Sequence, residues 1–516
     1  MAMTLAGAGV FALYGGQAAE AADNTSAKQV EQSIADDHAQ KELERARNQQ
    51  QQATKQAVRA DKITVPATAV EIVGSKSLNE QAVRADKITV PATAVEIVGS
   101  KSLNEQAVRA LVPELNKERI NVNTLSKQIQ MVNDTGAAKL GATFVSNHDG
   151  SFTVKVTNEA KDNDKFTVSI ANSGNEHTGD WRATLSYINN NLSKNADTFG
   201  MAYVTSPDDH FSDVKMGAVS YRRLLPKASG SLSLTASVYD IAQDTTPLVA
   251  TAGVLNSESN GKGHNIGLHY QHHLAYTSRE KDMWDFGIDF RQVETYGELI
   301  AGGAPLGTPQ TEDYNVLLGS VGFIHNNRDT HHSFTYNVGV SANLNGDDAA
   351  YNRNWAGNGF GRYGDNFVYY QAGVNYQVRS HSDWIIGAHL HGQYTNDNLV
   401  GLVQIGAGGM NTVRGFENSI SADKGFVGNL EIYTPEFAPH SHFVAFYDYG
   451  NLTNNREKAN FDNVSLSSVG IGYRYNNTKS GFTLAVDYAN PIEDVDSKIS
   501  NTTNHRRWNA TVSMSF

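Results

Sequence analysis

The chain has 516 residues, no cysteine and a formal net charge of −12 at pH 7. That length allows roughly two to four ordinary domains or one large barrel with appendages. The missing cysteines exclude disulfide and thiolate chemistry, and the acidic balance argues against nucleic acid as a partner. Mean hydropathy is negative, and no stretch beyond the N-terminus is apolar for long enough to form a transmembrane helix. A membrane barrel survives that test, because its alternating strands average out on a hydropathy scale.

Residues 1–22 read as a signal peptide, with an apolar run from Leu5 to Tyr14 and an A-x-A cleavage pattern at Ala19-Glu20-Ala21. The basic segment usual before such a run is missing, which points to a start assigned too late. Residues 23–60 are rich in Gln, Ala, Glu, Lys and Arg, with Val30, Ile34, Leu43 and Val58 as the larger apolar positions. This is helix-forming sequence without a core-facing stripe, hence a solvated helix or a linker.

An exact duplication follows: the stretch Gln56 to Glu80 recurs letter for letter as Gln81 to Glu105. Two copies are too few for a solenoid, which needs about three repeats to bury a continuous core. Residues 61–85 are read as a duplicated strand-helix fragment. The second copy runs on into a fuller unit over residues 86–160. A strand is expected at Ala94–Val98, helices at Leu103–Val112 and Val122–Val132, and a hairpin whose strands, Leu140–Ser146 and Ser151–Thr157, meet at the Asp149-Gly150 turn.

From residue 161 to the C-terminus the periodicity is two. Leu232, Leu234, Ala236 and Val238 share one face of a strand; so do Phe334, Tyr336, Val338 and Val340, and Trp384, Ile386, Ala388 and Leu390. The final strand alternates Trp508, Ala510, Val512, Met514 and Phe516 with polar residues. Such strands give a barrel wall with one lipid face and one wet face. Sixteen are expected, starting near residues 166, 181, 198, 214, 230, 264, 283, 314, 332, 366 and 382, then 425, 442, 465, 480 and 505. The polar stretches 240–263, 294–313, 345–365 and 489–504 are read as the long loops between them.

Between the eleventh and twelfth strands lies a glycine-rich loop carrying Val413-Arg414-Gly415-Phe416, and one strand later comes Phe446-Tyr447-Asp448-Tyr449-Gly450. A charge in either setting would be costly to bury alone, since breaking a buried pair costs about 3–5 kcal/mol. Arg414 and Asp448 are therefore read as partners.

This ordered pair, V-R-G-F and then F-x-D-x-G, resembles the outer-membrane two-partner secretion transporters (TpsB, the ShlB/FhaC/HecB-type hemolysin secretion/activation proteins) and, more distantly, the BamA-like assembly factors. The likeness covers roughly residues 90–516, matching at Val413, Arg414, Gly415, Phe416, Phe446, Asp448 and Gly450. It implies a 16-stranded antiparallel transmembrane β-barrel with an N-terminal periplasmic α+β POTRA domain, the unit at 86–160. Typical members carry two such domains; here the leading fragment is incomplete. The resemblance further implies a loop folded into the lumen, held to the inner wall by Arg414 and Asp448 and packed at its tip by Phe416. An N-terminal helix would plug the pore, and C-terminal Phe516 would be read by the barrel-insertion machinery. The implied function is export of one exoprotein of hemolysin or adhesin type, with outer-membrane lipid as surroundings and no cofactor. The alternatives are a BamA-like assembly factor, which normally has more POTRA repeats, and a diffusion porin, which would leave the motif pair unused.

Seventeen histidines raise the question of metal. His389 and His391 share a strand face, as could His440 and His442, but no third ligand is fixed beside either pair. Polar lumen or loop residues are the better account. No Ser-His-acid set stands out for a hydrolase, so the expectation is a pore rather than an enzyme.

Overall fold

The computed structural model describes residues 70–73 and 89–516, apart from 100–101, 148–150, 176–177, 209–210, 212, 250–254, 302–303, 306–309, 346–365, 418, 456–461 and 493–504. The expected signal peptide, the polar segment at 23–60 and most of the fragment at 61–85 lie outside the described residues.

The first unit is an α/β domain. Its elements are β1 (Val70–Val73), β2 (Thr89–Gly99), α1 (Glu105–Leu111), β3 (Arg119–Asn121), α2 (Val122–Thr135), β4 (Ala138–Ser146) and β5 (Phe152–Ala160). They build one sheet in the order β1-β4-β5-β2-β3, with β1 parallel to β4 and β2 parallel to β5. Both helices start at asparagines whose side chains accept a backbone N–H: Asn104 from Ala107 at 2.7 Å, Asn121 from Thr124 at 2.9 Å. Helix α2 stops at Gly136, whose φ of 81° is the left-handed conformation of a helix end. Val108 and Leu111 of α1 and Leu125, Ile129 and Val132 of α2 are buried against Phe144, Val154 and Val156 of the sheet. Strand β3 was not foreseen, nor was the pairing of β1, which lies in the fragment read as strand-helix, with this sheet.

The second unit is a closed antiparallel barrel of sixteen full strands. The first eight are β6 (Asp164–Ala171), β7 (Arg182–Asn189), β8 (Thr198–Thr205), β9 (Val214–Leu225), β10 (Gly230–Val249), β11 (Leu255–Tyr276), β12 (Glu280–Ala301) and, after the two-residue rung β13 (Ala304–Pro305), β14 (Gln310–Arg328). Next come β15 (His332–Asn343), β16 (Val368–Arg379) and β17 (Ile385–Tyr394). The inward loop then carries β18 (Ile405–Ala407), β19 (Gly415–Phe416) and β20 (Ile420–Ala422). The wall resumes with β21 (Lys424–Tyr433), β22 (Ser441–Thr453), β23 (Asn463–Asn477), β24 (Phe482–Pro491) and, past the short β25 (His505–Arg506), β26 (Trp508–Ser515). Strand β26 pairs with β6, and the Phe516 N–H donates to the Phe166 carbonyl at 2.8 Å. Closure leaves no edge in the membrane, where an unpaired backbone group could find no water.

The outward face is apolar: Leu234, Val238, Leu268, Ile288, Leu390 and Ile471 are exposed there to lipid. One expectation needs correction. The polar stretches 240–263 and 294–313 are mostly strand, because β10, β11, β12 and β14 run 20, 22, 22 and 19 residues. A tilted strand needs only about 9–11 residues to cross a membrane. The excess lies at the end away from the α/β domain, where the polar sequence no longer alternates but backbone pairing continues.

The two units touch at the near end of the barrel. Lys127 of α2 donates to the carbonyls of His273 and Leu274 at 2.5 and 3.1 Å, and Asp134 pairs with Lys281 at 2.8 Å. Leu224 and Tyr276 are buried with the core of the α/β domain.

Candidate functional site

The segment from Thr395 to Asp423 leaves the wall, enters the lumen and returns. Its first half is apolar: Leu399, Val400, Leu402 and Val403 are buried against the inward side chains Met216, Ile241, Val293 and Leu318. Its second half is a miniature sheet, Ile405 facing Ala422 and Ala407 facing Ile420. That sheet packs with Val413 and Phe416 against Val427, Leu452, Val464 and Leu466 of strands β21 to β23. The loop thus touches opposite sides of the barrel. Asp423 ties its ends, accepting from the Leu399 N–H and from the Gln404 side chain, both at 2.9 Å. Arg291 on the far wall donates to the Leu402 carbonyl at 3.2 Å.

At the tip, Gly408, Gly409 and Gly415 have φ of 109°, 85° and 95°, a region that favours glycine. The sharp reversal delivers Arg414 to the wall. Its backbone N–H and Nε donate to Asp448 Oδ2 at 3.0 and 2.7 Å, and Nη2 to Oδ1 at 2.7 Å. Nη1 meets Glu431 at 2.8 Å and Asp487 at 3.3 Å. The guanidinium lies 3.4 Å above the centre of the Phe446 ring, a cation–π contact. Asp487 is shared with Arg474, at 2.5 and 2.9 Å, and Tyr433 donates to Glu431 at 2.5 Å. Asp448 is fully buried and Arg414 is 6% exposed. Burial by itself would lower the pKa of Arg414; the carboxylates of Asp448, Glu431 and Asp487 reverse this and raise it well above its ordinary value.

The structure therefore sets Arg414 against Asp448 and Phe446, and Val413 against Gly450. Phe416 is buried at the loop tip. A Cβ on Gly450 would stand 2.8 Å from the Ala407 Cβ and 3.3 Å from Val413 Cγ2, so the loop lies on that glycine. Phe516 is far from the loop, on the lipid face at the closing seam and 71% exposed. Glu431, Asp487, Arg474 and Tyr433 were missed by sequence reasoning. The signal available was a charged or phenolic side chain on the wet face of strands whose other face is apolar.

Three of the four histidines in the two expected pairs meet separate polar partners: His389 meets Asn375, His440 faces Glu436, and His442 meets the Thr434 carbonyl. Among the described residues, one group of three has donor atoms within 4.8 Å of one another, Glu280, Asp282 and His325. Asp282 and His325 already pair with each other at 2.6 Å.

A closed barrel with an apolar outer face, its lumen crossed by a loop bolted to the wall through Arg414, defines a β-barrel membrane protein. The model of the family described as haemolysin secretion/activation protein ShlB/FhaC/HecB matches residues 150–475, and the chain belongs to that family. It is a two-partner secretion transporter of the outer membrane, and its family implies a secreted exoprotein partner. Among solved structures, CdiB from Escherichia coli superposes with a TM-score of 0.68 at 15% identity, over 91% of this chain and 97% of that one. CdiB from Acinetobacter baumannii gives 0.62 at 15% identity, over 83% and 74%. At such identities these likenesses speak for the fold. A comparison with curated protein sequences finds no match.

Proposed function

We propose that the α/β domain is a POTRA domain standing in the periplasm, and that it receives a single exoprotein of hemolysin or adhesin type as an extended chain. The exoprotein then threads through the barrel and folds outside the cell. Arg414 and Asp448 hold the inward loop in its working position, and Phe446, Gly450 and Phe416 shape the seat. The observation that carries this reading is the loop's attachment: one guanidinium against Asp448, Glu431 and Asp487, which belong to three different wall strands. Such an ionic bolt can open and close again while the hydrogen-bonded wall stays intact. The transporter performs no chemistry and uses no cofactor in this account; lipid surrounds the apolar belt, and the insertion machinery reads Phe516.

The test is to delete the gene and compare the proteins of the culture medium with those of the parent strain. Loss of one large exoprotein, restored by complementation, is expected. An unchanged medium with a general loss of outer-membrane barrels would overturn the reading in favour of an assembly factor.

A further inference from the structure

The duplicated sequence supplies two strands to one sheet. In the second copy, Val95-Glu96-Ile97-Val98 lies in β2 and runs parallel to β5, Val95 opposite Val154 and Ile97 opposite Val156. In the first copy the same tetrapeptide, Val70-Glu71-Ile72-Val73, is β1 and runs parallel to β4, Val70 opposite Ala142 and Ile72 opposite Phe144. The β4–β5 hairpin is thus flanked on both sides by identical sequence. Strand β2 is integral, being eleven residues long and paired on both sides, with β5 and with β3. Strand β1 has four residues and, among the described residues, a single neighbour.

Without β1, β4 would be the edge of the sheet. Its backbone N–H and C=O groups would form an open template for any extended chain, which is how a strand docks by β-augmentation. Ala142 and Phe144 are buried on the helix side of this edge, while Thr143 and Val145 face outward. An arriving strand that alternates apolar and polar residues matches that pattern. The first copy carries this alternation because it duplicates a strand already built for the same core.

We propose that the first copy is a built-in occupant of the Ala142–Val145 edge, and that a strand of the exoprotein gains the edge by displacing it. The inference rests on the reading of this domain as the docking module. Residues 74–88 join β1 to β2 in the chain, so β1 competes for the edge as an intramolecular ligand with a raised effective concentration. Only a segment that pairs better than Val-Glu-Ile-Val, or over more rungs, displaces it. The duplication therefore sets a threshold for docking.

The duplication also offers a clean deletion, because removing residues 56–80 joins Lys55 to Gln81 and leaves the second copy intact. A fluorescent peptide with the sequence of residues 68–74 is titrated into the purified full-length chain and into the deleted chain. The deleted chain is expected to bind it at least about tenfold more tightly, and a peptide with proline in place of the Ile72 equivalent binds neither, since proline cannot complete the ladder. Equal affinities overturn the proposal.

A second measurement uses the absence of native cysteine. Strands spaced about 4.8 Å apart fall inside the Cα range of a disulfide, roughly 4.4–6.8 Å. Glu71→Cys with Thr143→Cys is expected to form an intramolecular bond, whereas Glu96→Cys with Thr143→Cys, in identical flanking sequence, does not. A disulfide-linked dimer, or no bond, also overturns the proposal. With the lock formed, export of the exoprotein falls and recovers on reduction. A lock that forms while export continues unchanged leaves the occupant in place and overturns instead the docking of exoprotein at this edge.

Discussion

Arg414 meets Asp448 through three hydrogen bonds, two from the guanidinium and one from its own backbone N–H, all between 2.7 and 3.0 Å. Side chain and main chain are fixed to the same carboxylate, so the position of the loop backbone is coupled to the ion pair. Losing the side-chain contacts releases the backbone as well.

Arg414→Ala is therefore expected to free the loop without dismantling the wall. Removing one partner of a buried pair costs about 3–5 kcal/mol, and every 1.4 kcal/mol is about tenfold in population, so the seated form loses roughly a hundredfold or more. Arg414→Lys is expected to fall close to Ala, because an ammonium cannot reproduce the fork. Conductance in planar bilayers reads the loop, export reads function, and heat-modifiable migration reads the folded barrel. Normal export by either variant at equal surface abundance would reject the role.

Asp448→Asn and Glu431→Gln remove the same charge from a network of two guanidiniums and three carboxylates, so any difference between them reports geometry. Asp448 accepts three hydrogen bonds from Arg414, while Glu431 makes one contact with it at 2.8 Å. Asp448→Asn is expected to cost about 3 kcal/mol or more, and Glu431→Gln about 1 kcal/mol. Hydrogen exchange of the Ile405–Phe416 amides measures both, and the double variant gives their coupling. Equal effects would mean that net charge alone holds the loop.

Sequence patterning located the wall strands because lipid on one side and water on the other imposes a period of two. It failed where the sequence loses that alternation, over 240–263 and 294–313, although the backbones of β10, β11, β12 and β14 stay paired there. It also failed inside the barrel: Met216, Ile241 and Leu318 are apolar on the inward face because the loop's Leu402 and Val403 cover them. The two motifs gave away the centre of the site, since Arg414 and Asp448 stand out among glycines and aromatics. Glu431 and Asp487 did not, because a lone acid on the wet face of a strand is ordinary. Only the folding of the loop onto strands β21 to β24 gathers them.

Gly450→Ala tests the seat beneath the loop. The added carbon would lie 2.8 Å from the Ala407 Cβ, an overlap that costs roughly 1–3 kcal/mol unless the loop lifts. Ala407→Gly in the same chain removes the clashing atom and leaves Val413 Cγ2 at 3.3 Å. The double variant is expected to regain most of the loop protection, short of about 0.5–1 kcal/mol for the new glycine in a strand. A single variant as protected as the parent would show that the loop does not rest on Gly450.

The joint between the two units makes a charge-reversal prediction. Asp134 of α2 and Lys281 of β12 meet at 2.8 Å with side chains only 17% and 15% exposed. Lys127 grips the adjacent end of β11 through backbone carbonyls. Asp134→Lys places two ammonium groups together there and is expected to loosen the joint by roughly 1 kcal/mol, while Lys281→Asp in the same chain restores an ion pair with its polarity reversed. Spin labels on one cysteine introduced in α2 and one in the β11–β12 turn, clean reporters in a chain without cysteine, give the distance distribution. It should broaden in the single variant and narrow again in the double. A distribution unchanged by Asp134→Lys would assign the joint to Lys127 and the apolar contacts of Leu224 and Tyr276 instead.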